Sequence, residues 1–458
     1  MGAPRRLSRL WRQLPYGLSL LGLLVILLTG INLWLQQQRA PSISAGPFES
    51  ASVDNQRVTR PQSRRLVASE SPGDDVQLGI SYLQKARETG DPSYYYRAEE
   101  SLGRVLGVET NPSWLRARAM TGIGAAALGR HDFDQALAWA QHALEIDPSF
   151  ASAYGVMGDA QLELGQYDGA ATSFQTMMDL KPDLGSYARA ARLRELRGDI
   201  AGAMEAMQLA ASAGPVKGES TAWAKVQLGN LYFNSGRVDE AMEQYQAALR
   251  EFDGYYLALA SLGKTRAAQG DYREAIQLLE QAAAVIPQPS ILATLGDLYA
   301  QTGQPDKAQL QYDTVEFIAR LAAINRQVYN RDLALFYADH DLKVDTALEL
   351  SERELRVRQD IYGYDALAWA LFKNHRLSEA RNTINQAMQL GTQDANIFFH
   401  AAMIHYGLGD LPQAESYLRK ALELNPHFSI LYSDRARDLL GEINGQLKRS
   451  SNKAEVAP

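Results

Sequence analysis

Residues 228–248 read LGNLYFNSGRVDEAMEQYQAA. An alanine, Ala241, stands just after a turn and five residues beyond the turn glycine Gly236. Working outward, an alanine recurs in that place at Ala98, Ala136, Ala170, Ala203, Ala241, Ala275, Ala308, Ala347, Ala380 and Ala414, with successive gaps of 38, 34, 33, 38, 34, 33, 39, 33 and 34 residues. Its surroundings recur too. A glycine lies twelve residues before it at Gly124, Gly158, Gly229, Gly263 and Gly296. A small residue lies seven after it at Ala143, Ala210, Ala248, Ala282, Ala387 and Ala421. A proline lies twelve after it at Pro148, Pro182, Pro215, Pro287 and Pro426. A fixed period of this length marks a stack of repeated helical units.

Physical chemistry explains the pattern. Small residues sit where two helices cross closely, because a larger side chain would push the backbones apart. Leu228, Tyr232 and Tyr245 fill the space between neighbouring units. One hairpin cannot bury its apolar face alone, so stacking supplies the core. The proline ends the second helix of a unit. These residues, with AESYLRKALELNP at 414–426, resemble the tetratricopeptide repeat, a pair of antiparallel helices of about 34 residues. The resemblance runs over most of residues 75–447. It implies an all-α, right-handed superhelical solenoid of about ten hairpins. The whole chain is similar to membrane-anchored bacterial proteins of this family, many of them without an assigned activity.

The N-terminal stretch stands outside the repeats. Arg5, Arg6, Arg9 and Arg12 precede a charge-free run from Tyr16 to Leu35. Twenty helical residues rise about 30 Å, the thickness of the hydrocarbon core. Trp11, Tyr16 and Trp34 lie at its ends, where amphipathic rings prefer to sit. The excess of arginine before the run predicts a single-pass anchor in a bacterial inner membrane, with the N-terminus cytoplasmic and the repeats periplasmic or otherwise extracytoplasmic. The alternative is export after cleavage of a signal peptide, although no good small-x-small site follows the run.

The expected organisation is therefore a basic N-terminus at 1–15, a transmembrane helix at 16–35 and a flexible tether at 36–74, rich in Gln, Ser, Pro and Arg. The solenoid follows at 75–428, a capping helix at 429–447 and a disordered tail at 448–458. Of the three gaps longer than the rest, two hold a recognisable insertion. One holds the loop 214–220. The other holds EFIARLAAINRQ at 316–327, which keeps a helical period and is expected to lengthen a second helix.

Composition narrows the chemistry. The 458 residues include no cysteine, so disulfides, thiolate nucleophiles and Cys-ligated zinc are excluded. The net charge of −7 comes from mixed acidic and basic residues. No concentrated basic face suggests a nucleic-acid partner. His400 and His405 are five apart on one helix, whereas a helical zinc pair needs three or four; no metal is expected. No phosphate loop, nucleophile elbow or dinucleotide fingerprint is present, so neither a cofactor nor catalysis is expected.

Function is then to be sought on the repeat surface. Positions 2, 5, 9 and 12 of each first helix share one face. The family resemblance makes that face the lining of a concave groove in which proteins or extended peptides lie. The unit from Ala222 places Trp223, Val226, Asn230 and Phe233 there. The unit from Ile361 places Tyr362, Asp365, Trp369 and Phe372, and that from Ala395 places Asn396, Phe399, Met403 and Tyr406. Large apolar side chains on an open face bind partners. The alternative is that the helix from 429 onward covers them. The family's carboxylate-gripping variant needs Lys and Asn on this face. Asn230 fits, but Val226 stands where Lys is needed, so a receptor for chaperone tails is not expected. Tyr94-Tyr95-Tyr96 could touch a membrane surface or a partner, or pack within a capping hairpin. The expected function is a non-catalytic, membrane-tethered scaffold for protein assembly. The alternatives are a subunit of an envelope secretion or polysaccharide-export system, and a regulatory subunit of an enzyme.

Overall fold

The computed structural model describes residues 71–324 and 330–456. All of them belong to one compact unit, Ala68–Pro458. Ten helical hairpins follow one another in it. They are α1 (Pro72–Thr89) with α2 (Ser93–Leu106), α3 (Ser113–Gly129) with α4 (Phe133–Ile146), α5 (Ala151–Glu163) with α6 (Tyr167–Leu180), and α7 (Leu184–Leu196) with α8 (Ile200–Ala213). Then come α9 (Glu219–Asn234) with α10 (Val238–Glu251), α11 (Tyr256–Ala268) with α12 (Tyr272–Val285), and α13 (Pro289–Gln301) with α14 (Pro305–Ile324). The last hairpins are α15 (Asn330–Asp339) with α16 (Val344–Leu355), α17 (Ile361–Lys373) with α18 (Leu377–Ala387), and α19 (Ala395–Gly407) with α20 (Leu411–Leu424), before a final helix α21 (Ser433–Val456).

The anchor alanine lies in the second helix of every hairpin and is buried in all ten. The signature glycine faces it across the helix pair. A Cβ on Gly229 would stand 2.5 Å from the ring of Tyr245. The turn between the two helices obeys one backbone rule. Every turn holds a left-handed residue, at Gly90, His131, Gly165, Gly198, Gly236, Gly270, Gly303, Asp341, His375 and Gly409, and the turn of the eighth hairpin holds a second, Lys343. Glycine enters that region without steric cost, and Asp and His are among the side chains that tolerate it best. An aspartate follows in several turns and caps the second helix. Asp132, Asp199, Asp271 and Asp410 each accept a hydrogen bond from a first-turn amide.

The helix bounds bear on two of the expectations. The long gap does lengthen a second helix, since α14 runs on to Ile324. The final helix begins at Ser433 rather than 429 and continues to Val456, through most of the expected tail. Its buried stripe is Ala436, Leu439 and Ile443. No proline interrupts the chain from 433 to 456, and Lys, Ala and Glu near its end favour helix. Among the described residues, no helix is long and apolar enough to cross a membrane. The expected span at 16–35 and the tether up to residue 70 lie outside the described residues.

The path of the hairpins returns on itself. The turns of early units touch the junctions that follow late units. The Gln359 amide donates to the Glu163 carbonyl at 2.9 Å. The Ile361 amide donates to the Tyr167 hydroxyl oxygen at 2.9 Å. Thr392 donates from its hydroxyl to the Leu196 carbonyl. Asn425 donates from Nδ2 to the Phe233 carbonyl at 2.9 Å. Those carbonyls lie in the last turns of α5, α7 and α9, where the regular i+4 amide donors of a helix run out. At the start of the row, the Ile286 side chain lies over Gly90. Unit 1 thus meets the junction after unit 6, and units 3, 4 and 5 meet those after units 8, 9 and 10. The solenoid is a spiral whose second turn rests on its first.

Candidate functional site

Of the twelve groove-face residues, the nine other than Val226, Asp365 and Asn396 fall into three groups in the structure. Trp369, Phe399 and Met403 are buried. Trp369 stacks on Phe372 and His400, with centroids 5.0 and 4.3 Å apart. Its indole N–H donates to Asp339 at 2.8 Å. Phe399 lies under Tyr432 at 4.9 Å and beside Phe428 at 5.4 Å. Tyr432 donates to the Asp339 carbonyl at 2.8 Å and so is fixed over the tryptophan. This part of the expected groove is therefore closed, because the chain crosses it at 428–432, just before α21. Phe372 and Tyr406 are partly buried against the same cluster.

The closed patch has a charged floor. His400 meets Asp365 through Nδ1 at 2.8 Å. Burial opposes its charge, but Asp365, with Asp339 and Asp394, outweighs it and holds His400 above its usual range. Burial raises Asp339 in turn, against the pull of His400 and Trp369. Asp394, the cap of α19, is pushed up to about 6 by burial and by Asp365. Such a network rewards complete satisfaction of its members. It fixes the packing of α15, α17, α19 and the 428–432 crossing.

The second group is held by contacts within the spiral. Tyr362 lies under the Arg192 guanidinium, 5.1 Å from the ring centre, and burial pushes its hydroxyl pKa up. Asn230 accepts from the Tyr245 hydroxyl at 2.9 Å, which binds its unit together. Phe233 packs into the core of units 5 to 7.

Trp223 forms the third group. It is partly buried and lines a cavity of about 330 Å³ between the first two units and units 5 and 6. Tyr95, Tyr96, Tyr255 and Tyr256 supply most of the other rings. Tyr96 is half exposed and carries the Arg130 guanidinium 5.3 Å above its ring. Glu219 is the polar centre and is 4% exposed. It accepts from the Tyr255 hydroxyl at 3.0 Å and from Gln84 at 3.2 Å, and Arg87 stands 3.5 Å away. Burial and the nearby Glu219 charge push the Tyr255 hydroxyl pKa well up. The cavity combines aromatic walls, a fixed carboxylate and two guanidiniums at its mouth. Most recognition pockets have this make-up, apolar walls with a few convergent polar groups.

Sequence reasoning placed Trp223 and noticed the tyrosine run, but missed Arg87, Glu219, Tyr255 and Tyr256. These residues lie up to about 170 positions apart and meet only because the path returns. Among the described residues, no group of three or more His, Asp or Glu side chains could hold a metal ion.

Comparison with known proteins places the chain. Tetratricopeptide repeat models match residues 127–196 and 266–325, 226–290, and 395–428. The chain belongs to the tetratricopeptide repeat family. It is 27% identical to the human protein O-mannosyl-transferase TMTC1 over 47% of this chain and 24% of that protein. It is 24% identical to the BBSome complex member BBS4 of Bos taurus over 45% of this chain and 39% of that protein. The chain thus matches well under half the length of these relatives. The crystal structure of the APC/C hetero-tetramer Cut9-Hcn1 aligns over 81% of this chain and 90% of that one, with 15% identity and a TM-score of 0.37.

Proposed function

We propose that this protein is a non-catalytic scaffold that holds a segment of a partner protein in the cavity between its first and second turns. The cavity around Trp223 carries the reading. Its aromatic walls suit one large side chain of an extended partner segment, and Glu219 gives that side chain a polar end point. The rings cost little entropy to order, because the spiral already holds them. Membership of a repeat family built on stacked hairpins supports an interaction role. So does the presence of a complex member, BBS4, among the relatives. In this reading the apolar run at 16–35 anchors the scaffold in a bacterial inner membrane, with the repeats on the outer side, following the arginine asymmetry of the first fifteen residues.

Site-specific photo-crosslinking tests the binding site. A photoreactive residue in place of Tyr96 is expected to capture a discrete partner. The same residue in place of Leu209, on the exposed side of α8, is expected to capture none. Trp223→Ala is expected to abolish capture; because Trp223 also packs on the neighbouring cores, the variant melts lower, and capture is compared well below its transition. Equal capture from both positions would defeat the proposal. The topology is tested separately: a reporter fused after Val456 that works only in the cytoplasm would refute the outward placement.

A further inference from the structure

The spiral leaves each half of its turn-to-turn interface open at one end. The turns of units 1, 3, 4 and 5, at Gly90, Gly165, Gly198 and Gly236, each lie within contact of a later unit. The later glycine turns at Gly270, Gly303 and Gly409 are exposed, with nothing within 4 Å of where a Cβ would stand. The turns at Asp341 and His375 are exposed too. At the opposite end, the junctions after early units are bare. They and the helix ends beside them carry Val108, Trp114, Leu180 and Val216, all exposed, with Val216 at 86%. In the covered row, by contrast, Ile286 packs over Gly90, and the junction residues Arg358, Asp360, Thr392 and Asn425 are buried.

The structure points to self-association: we infer that the early-junction rim of one copy docks on the late-turn rim of another, repeating between molecules the contact that closes the spiral within one. A second copy is the occupant because it presents the surface that already fits. The bare junctions are counterparts of those seated on the first turn. The bare turns have the same left-handed backbone as those that receive them. End-to-end helix stacking is a different route. The outer face of α21, with Arg437, Asp438 and Glu442 exposed, closes that route. The two rims are different surfaces, so the contact is heterologous and runs head to tail.

Sedimentation of the full chain in mild detergent across a range of concentrations tests this. The mass is expected to rise with concentration in steps of one chain. Leu180→Asp with Val216→Asp, on the junction rim, is expected to leave a monomer. Leu342→Asp, on the late-turn rim, is expected to do the same. These side chains are exposed in the single chain, so its circular dichroism and melting should not change. Loss of one buried valine alone should weaken association about tenfold. An equal mixture of the two rim variants is expected to form a complex of two chains and nothing larger, because each variant keeps one intact rim. The inference is overturned by a wild-type chain that stays monomeric at every concentration. It is equally overturned by self-association that ignores both rim variants, or by a mixture that stays monomeric.

Discussion

Gly158 and Gly229 stand where the two helices of a unit cross, each against an aromatic ring of its partner helix, Phe174 and Tyr245. An added methyl has no space there. Gly229→Ala should destabilise the protein by about 1–3 kcal/mol through overpacking. Gly103 lies inside α2 with nothing within 4 Å of a Cβ position. Gly103→Ala should therefore stabilise by roughly 0.5–1 kcal/mol, because alanine loses less backbone entropy in a helix. Urea denaturation of the two variants gives the opposite signs directly. A second pair isolates the turn-to-turn contact. Gly198 and Gly303 have φ of +77° and +74°. A Cβ at Gly303 would meet nothing, whereas one at Gly198 would run into the Gly391 carbonyl. Gly303→Ala should cost only the left-handed conformation, about 1–2 kcal/mol. Gly198→Ala should cost clearly more, and equal losses would mean that the contact contributes little.

At the scale of elements, α13 and α15 are joined by one histidine. His340 meets the Phe336 carbonyl through Nδ1 at 2.8 Å and Asp297 through Nε2 at 2.7 Å. Both ring nitrogens face acceptors, so the cation satisfies the site best. Burial opposes that charge, but the hydrogen bond and charge of Asp297 prevail and raise the pKa above 6.5. The folded-state pKa lies above the unfolded one. The stability this pair gives is therefore fully present below pH 6.5 and falls away as pH rises through the raised value. His340→Gln should cost about 1.5–3 kcal/mol on the acidic side and much less on the basic side. Denaturation curves at two pH values would show the difference, and a pH-independent loss would refute the charged pair. This histidine was only one of seven scattered ones in the sequence. Its role depends on Asp297, 43 positions away in the preceding hairpin. The hairpins themselves were readable, because their alanines, glycines and prolines repeat at a fixed spacing and act within one unit.

For the whole molecule, the closure was not readable. Thr392 and Asn425 look like ordinary turn residues in the sequence, and their acceptors lie 196 and 192 positions away. The same distance hid the covering of Trp369 and Phe399, since the rings that cover them come from the crossing at 428–432. The period groups residues on one face of a helix, but what lies over a face is decided by the path of the chain. The closure predicts an uneven pattern of hydrogen exchange. Asn425→Ala together with Thr392→Val should speed exchange at the ends of α7 and α9. The exposed turns at Gly270 and Gly303 should exchange as before. A uniform change across all turns would point to global loosening instead of an opened seam.

The spiral also bears on how such a chain can change over generations. An open array of repeats can gain or lose a unit, because each unit answers only to its neighbours. Here the pairing of Gly165 with Gln359, Gly198 with Gly391 and Gly236 with Leu424 depends on how many units lie between them. Deleting one hairpin between α11 and α14 would slide every pair by a step and set mismatched surfaces against each other. Duplication and loss of repeats should therefore be tolerated at the two ends and selected against in the middle, so the count of inner units is inherited almost as strictly as a single residue.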